Sequence, residues 1–409
     1  MTDDTFNVSK YNEKKSQLDL YCEQHKGASE QRSTEWYNLT YVTFGGSEQA
    51  TLSGDSPYEK ISDLVAKKAG LTVLKGNLPM RWGTYLEKSV AKIVTKVFSV
   101  DMRELGALPG PVKYSRCSPD GLGLMKIDGE WMIVLFEYKN PFTRVPTGHI
   151  PKHYIAQLQT GLCTIPIADT ALFMEFITRM CNQENMGYNR YFNKRIHDKD
   201  GNYESPIALG NLIIYQTEEQ EYKYSNESHN SSLDVILNER ENDEILDFGD
   251  MSKQEIGRLF ELAEMNLISI YHTSPIIFPW NVYKKVPFSR QTFETQPHKR
   301  DLDKYMDRLK LKLEKGYRKI KECEATVLGI VGWKLFQWGI MRFDNPDPDF
   351  MKKQEPVMIE TMNIINEIKA DPDNRWAIYH KYYPTKNKKK YDDKTRESYQ
   401  DTNMNDFSF

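Results

Sequence analysis

The 409-residue sequence has no run of 18 uninterrupted apolar residues, so no membrane-spanning helix is expected. Cysteine is scarce. Cys22, Cys117, Cys163, Cys181 and Cys323 are odd in number, far apart and free of any CxxC pair. That argues against a disulfide framework and against a zinc or iron–sulfur cluster. There is no GxSxG, no Walker loop and no internal repeat. His149 and His153 are four apart, but they precede a helical stretch that offers no third ligand. No charge sign dominates: Lys+Arg number 55 and Asp+Glu 58, a net charge of -3. A globally basic nucleic-acid binder is thereby excluded, and any polyanion must meet a local basic surface. The opening residues are polar and include Asp3, Asp4 and Glu13, unlike a secretory leader. A soluble, intracellular protein is the expectation.

What is present is enough apolar material, 39% of residues, to build a sizeable core. Composition divides the chain into a polar N-terminal arm (1–30), a core (31–216), an acidic insertion (217–250), an extension of the core (251–384) and a tail (385–409). The insertion holds 11 Asp/Glu against 2 Lys/Arg, which predicts a flexible segment. The tail, with Lys388 to Lys390, is expected to be disordered. Ser56 and Pro57 suit an N-cap and first-turn proline. Leu86, Val90, Ile93, Val94 and Val97 follow helical spacing. Further helices are expected at 153–164, 253–271, 300–324 and 351–369, and strands at 171–177 and 209–215. The apolar segment 327–343 reads as a long strand or a buried helix.

Between 114 and 139 the period shortens to two. Asp128-Gly129 suits a two-residue type I′ turn between strands. With those as the turn residues, facing positions sum to 257, which places Asp120 opposite Glu137. Two facing carboxylates repel. A divalent cation compensates them, and Mg²⁺, which takes oxygen ligands and keeps several waters, needs few protein anchors. Alternation places Ile133, Leu135, Glu137 and Lys139 on one face and Val134, Phe136 and Tyr138 on the other. A strand apolar on both faces is expected to be buried on both.

Ser118-Pro119-Asp120-Gly121 with Phe136-Glu137-Tyr138-Lys139 resembles the PD-(D/E)xK nuclease signature. More narrowly, the chain is similar to the lambda-type exonuclease, or YqaJ-like viral recombinase, family. The other segments that carry the likeness, in chain order, are Gln31-Arg32-Ser33 with Glu35-Trp36, Gly45-Gly46-Ser47-Glu48 with Gly54-Asp55-Ser56-Pro57-Tyr58, Gly83 to Glu87, and Tyr154 to Gln159. They span roughly residues 31 to 165.

The resemblance implies an α/β fold: a restriction-endonuclease-like core, a central mixed sheet flanked by helices, with a C-terminal α+β extension. It implies that Asp120, Glu137 and Glu87 hold one or two Mg²⁺ (or Mn²⁺) ions. Lys139 would orient or deprotonate water, or steady charge on the phosphate. Gln157 would lie near the scissile phosphate, Tyr154 would support Lys139, and Arg32 and Ser47 would receive a 5′-phosphate. A guanidinium can bind phosphate bidentately, and Ser47 would cap a short helix whose amides, with Gly45 and Gly46, face the anion. Gly83 would permit close packing. The implied activity is a Mg²⁺-dependent DNA exonuclease, 5′→3′ on duplex ends, that makes single strands for recombination or repair. The implied partners are DNA, a strand-annealing protein and further copies of the chain in a trimer, in the cytoplasm or nucleus of a host cell. The alternatives are a structure- or site-specific endonuclease on the same core and an inactive DNA-binding scaffold. From Ser56 to Thr160 there are 15 Lys/Arg and 9 Asp/Glu, a local charge of +6 that suits a phosphate backbone.

Overall fold

A computed structural model describes residues 2–31, 33–72, 76–142, 148–181, 186, 208–226, 251–277, 291–294 and 303–384. The N-terminal part comprises α1 (Thr2–Gln24), α2 (Thr34–Val42), a 3-10 turn (Gly46–Glu48), α3 (Gln49–Leu52), α4 (Ile61–Lys68) and α5 (Leu78–Phe98). Then come β1 (Asp101–Arg103), β2 (Leu108–Pro109), β3 (Arg116–Cys117), β4 (Gly121–Ile127), β5 (Glu130–Lys139), α6 (Lys152–Thr164), β6 (Thr170–Cys181), β7 (Ala208–Gln216) and α7 (Glu218–Asn226). The C-terminal part holds α8 (Lys253–Glu264), β8 (Ser269–His272), β9 (Ile276–Ile277), β10 (Gln291–Glu294), α9 (Asp303–Lys321), β11 (Thr326–Phe343), α10 (Phe350–Ala370) and α11 (Arg375–Tyr382).

The main sheet runs β1-β4-β5-β6-β11-β7-β8, with β10 also on β11 and β9 on β7. Strands β5 and β6 are parallel, joined across α6; β4–β5, β6–β11 and β11–β7 are antiparallel. The architecture is therefore α/β, a central mixed sheet with helices on both faces.

Local chemistry sets the hairpin. Asp128 and Gly129 both take positive φ, 50° and 91°, as a type I′ turn requires. The β4–β5 ladder keeps the sum of 257 from Ile127↔Glu130 to Gly121↔Phe136. Both faces of β5 are buried. Val134, Phe136 and Tyr138 meet Trp82, Leu86, Val90 and Ile93 of α5. Ile133 and Leu135 meet Leu18 and Tyr21 of α1 and Leu158 and Leu162 of α6. Gly161 lets α6 lie this close, since a Cβ there would stand 2.4 Å from Leu135 Cδ2. Helix α5 starts at an Asn77 cap, whose side chain accepts from the Met80 amide at 3.0 Å, and it carries its apolar stripe inward.

Several expectations need correction. The N-terminal arm is a 23-residue helix. It docks because Leu18 and Tyr21 are buried in the α1–α6 side of the core, despite its polar composition. Ser56 and Pro57 do not start a helix. The Ser56 hydroxyl accepts from the Tyr58 and Glu59 amides in a turn, and α4 begins at Ile61. The helix expected over 253–271 ends at Glu264, because Asn266 adopts φ 56°, and 269–272 is a strand. The single strand expected from Tyr114 is broken: Tyr114 has φ 64°, β3 covers only Arg116–Cys117, and the hairpin strand β4 starts at Gly121. The segment 327–343 is a strand of 18 residues with register shifts at Val327/Gly329 and Leu335/Gln337. Of the acidic insertion, α7 is described, and 227–250 lies outside the described residues, as does the tail 385–409.

Candidate active site

The β4–β5 ladder ends at Gly121↔Phe136, and the next facing pair is Asp120 and Glu137. There Asp120 takes over from the backbone: its Oδ2 accepts from the Tyr138 amide at 2.7 Å. The aspartate's orientation is thus tied to the strand that carries the glutamate. Glu137 is only 5% exposed, and its carboxyl and that of Asp120 act on each other electrostatically. Glu137 Oε1 also accepts from Lys139 Nζ, two residues on and on the same face of the strand.

Burial drives the electrostatics. Desolvation pushes the Asp120 carboxyl well above the usual carboxylate range, and the charges of Glu137 and Glu87 push it further. Desolvation also raises Glu137, against the opposing pull of Lys139. Burial works against the Lys139 charge, yet Glu137 and Asp120 hold the ammonium above the ordinary lysine range. Tyr138 is raised by burial and then by Asp120.

The motif segments converge on this pair. Trp36 Nε1 donates to Ser118 Oγ at 3.0 Å, and Gln31 Nε2 donates to the Pro119 carbonyl at 3.2 Å. Ser33 caps α2 by accepting from the Trp36 amide. Lys139 Nζ stands 5.1 Å from the centre of the Tyr154 ring, and Tyr154 in turn packs on Phe173. Gln157, one turn along α6, packs against Gly46, where a Cβ would lie 3.4 Å from Gln157 Cγ. Glu87 projects from α5 and lines, with Asp120, Lys88, Gln31, His25 and Arg103, a cleft of about 520 Å³.

The structure does not give every residue the setting expected of it. Arg32 lies outside the described residues. Ser47 is exposed inside the 3-10 turn and caps nothing; the Gly45 amide donates to Glu48 Oε2 at 2.9 Å. Gly83 is not a packing requirement, for a Cβ there would meet only the Asn140 carbonyl at 3.9 Å.

Sequence reasoning passed over Arg116. The residue is 7% exposed, and its guanidinium lies 5.1 Å from the centre of the Trp36 ring and makes a 3.4 Å contact with Ser118 Oγ. Its Nε is buried with no hydrogen-bond partner. Burial lowers its pKa, opposed by the charge of Glu48. A buried guanidinium with an unpartnered N–H has donor capacity left for an anion. The available signal was an arginine two residues before Ser118-Pro119-Asp120.

The donor set at the strand ends is carboxylate oxygen: the buried Glu137 and the half-buried Asp120, which repel when both are ionised. A hard divalent cation is the natural compensating charge, so the residues fit Mg²⁺. Among the described residues no group of three His, Cys, Asp or Glu side chains stands assembled as a metal cage. Asp120 and Glu137 are the residues that would anchor such an ion, and the charge of Glu87 acts on both.

Fold and site together define a PD-(D/E)xK core, with its paired acids and lysine on adjacent strands beside a parallel crossover. Residues 35–167 match the YqaJ-like viral recombinase domain. Over its length the chain is similar to a protein of African swine fever virus. It is 23% identical to the Malawi tick isolate's version over 385 residues, covering 87% of this chain and 91% of the relative. It is 24% identical to the Badajoz strain's version over 385 residues, with the same coverage. Among solved structures, it resembles an alkaline exonuclease from Laribacter hongkongensis at 22% identity and a TM-score of 0.28. That likeness covers 36% of this chain and 74% of the other. The crystal structure of an exonuclease of the same designation in complex with dAMP gives 22% identity and a TM-score of 0.29. No helix among the described residues is long and apolar enough to cross a membrane.

Proposed function

We propose that this protein is a divalent-metal-dependent DNA exonuclease that acts 5′→3′ from duplex ends and leaves single strands for recombination. The observation that carries the reading is the half-buried Asp120 beside the buried Glu137 at the ends of two adjacent strands, with Glu137 bonded to Lys139 and Asp120 to the Tyr138 amide. The YqaJ-like domain, which spans all three residues, supports it.

Asp120 and Glu137 would hold Mg²⁺, aided by Glu87, and the bound ion would polarise the phosphoryl oxygen and neutralise charge that develops on it. Lys139 does the complementary work. Its ammonium, fixed by Glu137 and the Tyr154 ring, is aimed without cost of reorganisation at an oxyanion or an attacking water. Gln157 orients the scissile group from the neighbouring turn of α6. Arg116, buried beside Ser118, holds a phosphate of the strand terminus, and Arg32 and Ser47 approach that phosphate from the surface. Trp36 braces the guanidinium and so keeps its fork in one plane.

The test is digestion of linear duplex DNA with Mg²⁺ by the wild type and by Glu137→Ala. The wild type should release nucleotides, and the variant should be slower by at least about 100-fold. Equal digestion by both, or cutting of closed circles at the rate of linear DNA, refutes the assignment.

A further inference from the structure

Helix α5 brings Glu87 to the cleft on one turn and Lys88 on the next residue. From Lys88 the helix carries Lys92 and Lys96, at successive steps of four residues and about 6 Å of rise, all three exposed. Residues four apart on a helix are neighbours, and like charges there repel. The apolar side of the helix faces the core, so this row lies along the outer side. Among the described residues none of the three lysines is held in an ion pair.

The row does not stop at the end of α5. Lys96 lies within electrostatic range of Lys312 on α9, which also feels Arg308. Lys312 is fixed by donating to the carbonyls of Ser274 and Pro275 at 2.9 and 3.1 Å. Helix α9 itself holds eight Lys/Arg against three Asp/Glu, and its apolar residues Leu309, Leu313 and Ile320 are buried. Partial desolvation of the otherwise exposed Lys92 lowers its pKa, Lys88 and Lys96 lower it further, and the charge of Glu104 opposes them.

We propose that Lys88, Lys92 and Lys96, continued by Arg308 and Lys312, form a track for the phosphate backbone of a DNA strand whose end lies at the Asp120–Glu137–Lys139 cluster. The inference rests on the nuclease reading above and adds the path of the substrate. Three features favour a polyanion over a folded acidic partner. The lysines are arranged in a line, their spacing is comparable to the step between phosphates along one strand, and the line starts in the cleft that holds Asp120. Contacts to phosphate alone carry no sequence preference, which suits an enzyme that must move along any DNA.

The test is equilibrium binding of fluorescent single-stranded and duplex oligonucleotides to the full chain in chelator, between about 50 and 200 mM salt. Lys92→Gln/Lys96→Gln is compared with the wild type and with Lys126→Gln/Lys223→Gln, which removes the same charge from the exposed end of the hairpin and from α7. The plot of log affinity against log salt should flatten by about 1.4 for a single strand, or about 1.8 for a duplex, in the α5 variant only. The arm that moves identifies which form of DNA lies on the track. Equal slopes in the α5 variant and the control, or salt-independent binding by the wild type, overturn the track. Digestion of linear duplex by the wild type is measured beside it. If digestion fails while the slope still shifts, the nuclease reading falls and the track stands.

Discussion

Two charged regions meet on α5 and obey opposite rules. Around Glu137, opposite charges are packed into a largely buried space, and the charged groups are tied down: Asp120 to the Tyr138 amide, Glu137 to Lys139. Along Lys88, Lys92 and Lys96, like charges lie in a row at the surface with no acid bound to them among the described residues. The difference follows from solvent. A buried charge without compensation costs too much to persist, so the interior forces pairing. Water screens exposed charges, so a row of one sign is tolerated there at small cost. The interior cluster can therefore be specific in geometry, and the surface row can be general in what it attracts.

The sharpest way to break this contrast is to remove one member of the buried pair. Asp120→Asn should lower nuclease activity by at least about 100-fold, yet make the metal-free protein less sensitive to pH. The sign follows from linkage. Burial raises the folded-state pKa of Asp120 and Glu137, so their contribution to stability is present below the ordinary carboxylate range and is lost as pH rises through the raised values. In chelator, thermal denaturation of the wild type should thus show stability falling from acid toward neutral pH, and Asp120→Asn should show a flatter profile. At about 100 times its Kd, Mg²⁺ should add about 2.7 kcal/mol to the wild type near neutrality and little to the variant. A metal-independent melting curve for the wild type contradicts the paired-carboxylate site.

Arg116 belongs to neither region, for it is a buried cation with no carboxylate bonded to it among the described residues. Arg116→Leu should leave the fold intact, because it removes an uncompensated charge, and it should abolish the preference for 5′-phosphorylated over 5′-hydroxyl ends. A charged hydrogen bond of roughly 1.5–3 kcal/mol corresponds to a loss of about 10- to 100-fold in that preference, read from paired time courses. An unchanged ratio removes Arg116 from phosphate binding. At the small end, the exposed ion pair of Asp19 with Arg103, 2.9 Å apart, fastens α1 across the strands. Asp19→Asn should cost less than about 1 kcal/mol in chemical denaturation. A larger cost would mean that exposed opposite charges count for more here than screening allows.

How much could be read from the sequence divides along the same line. The hairpin register was legible because the Asp128-Gly129 turn is local chemistry, and the alternation of β5 reports its two buried faces directly. Helices α6 and α10 were legible from spacing. Arg116 and the docking of α1 were not, because both depend on partners far along the chain. Trp36 and Ser118 are 82 residues apart in sequence when they meet, and the apolar residues that seat α1 are few. Ser47 was misread because Glu48, the next residue, supplies the contact to the Gly45 amide that a serine cap was expected to supply to a neighbouring one.

Strand β11 lies between β6 and β7, and its residues are among the last of the described chain to leave a ribosome. Until it emerges, β6 and β7 each present an open edge along which another nascent chain could pair. Closure of the sheet must therefore wait for nearly all of the described polypeptide to be translated, and helpers that shield such edges during synthesis would govern how much protein matures.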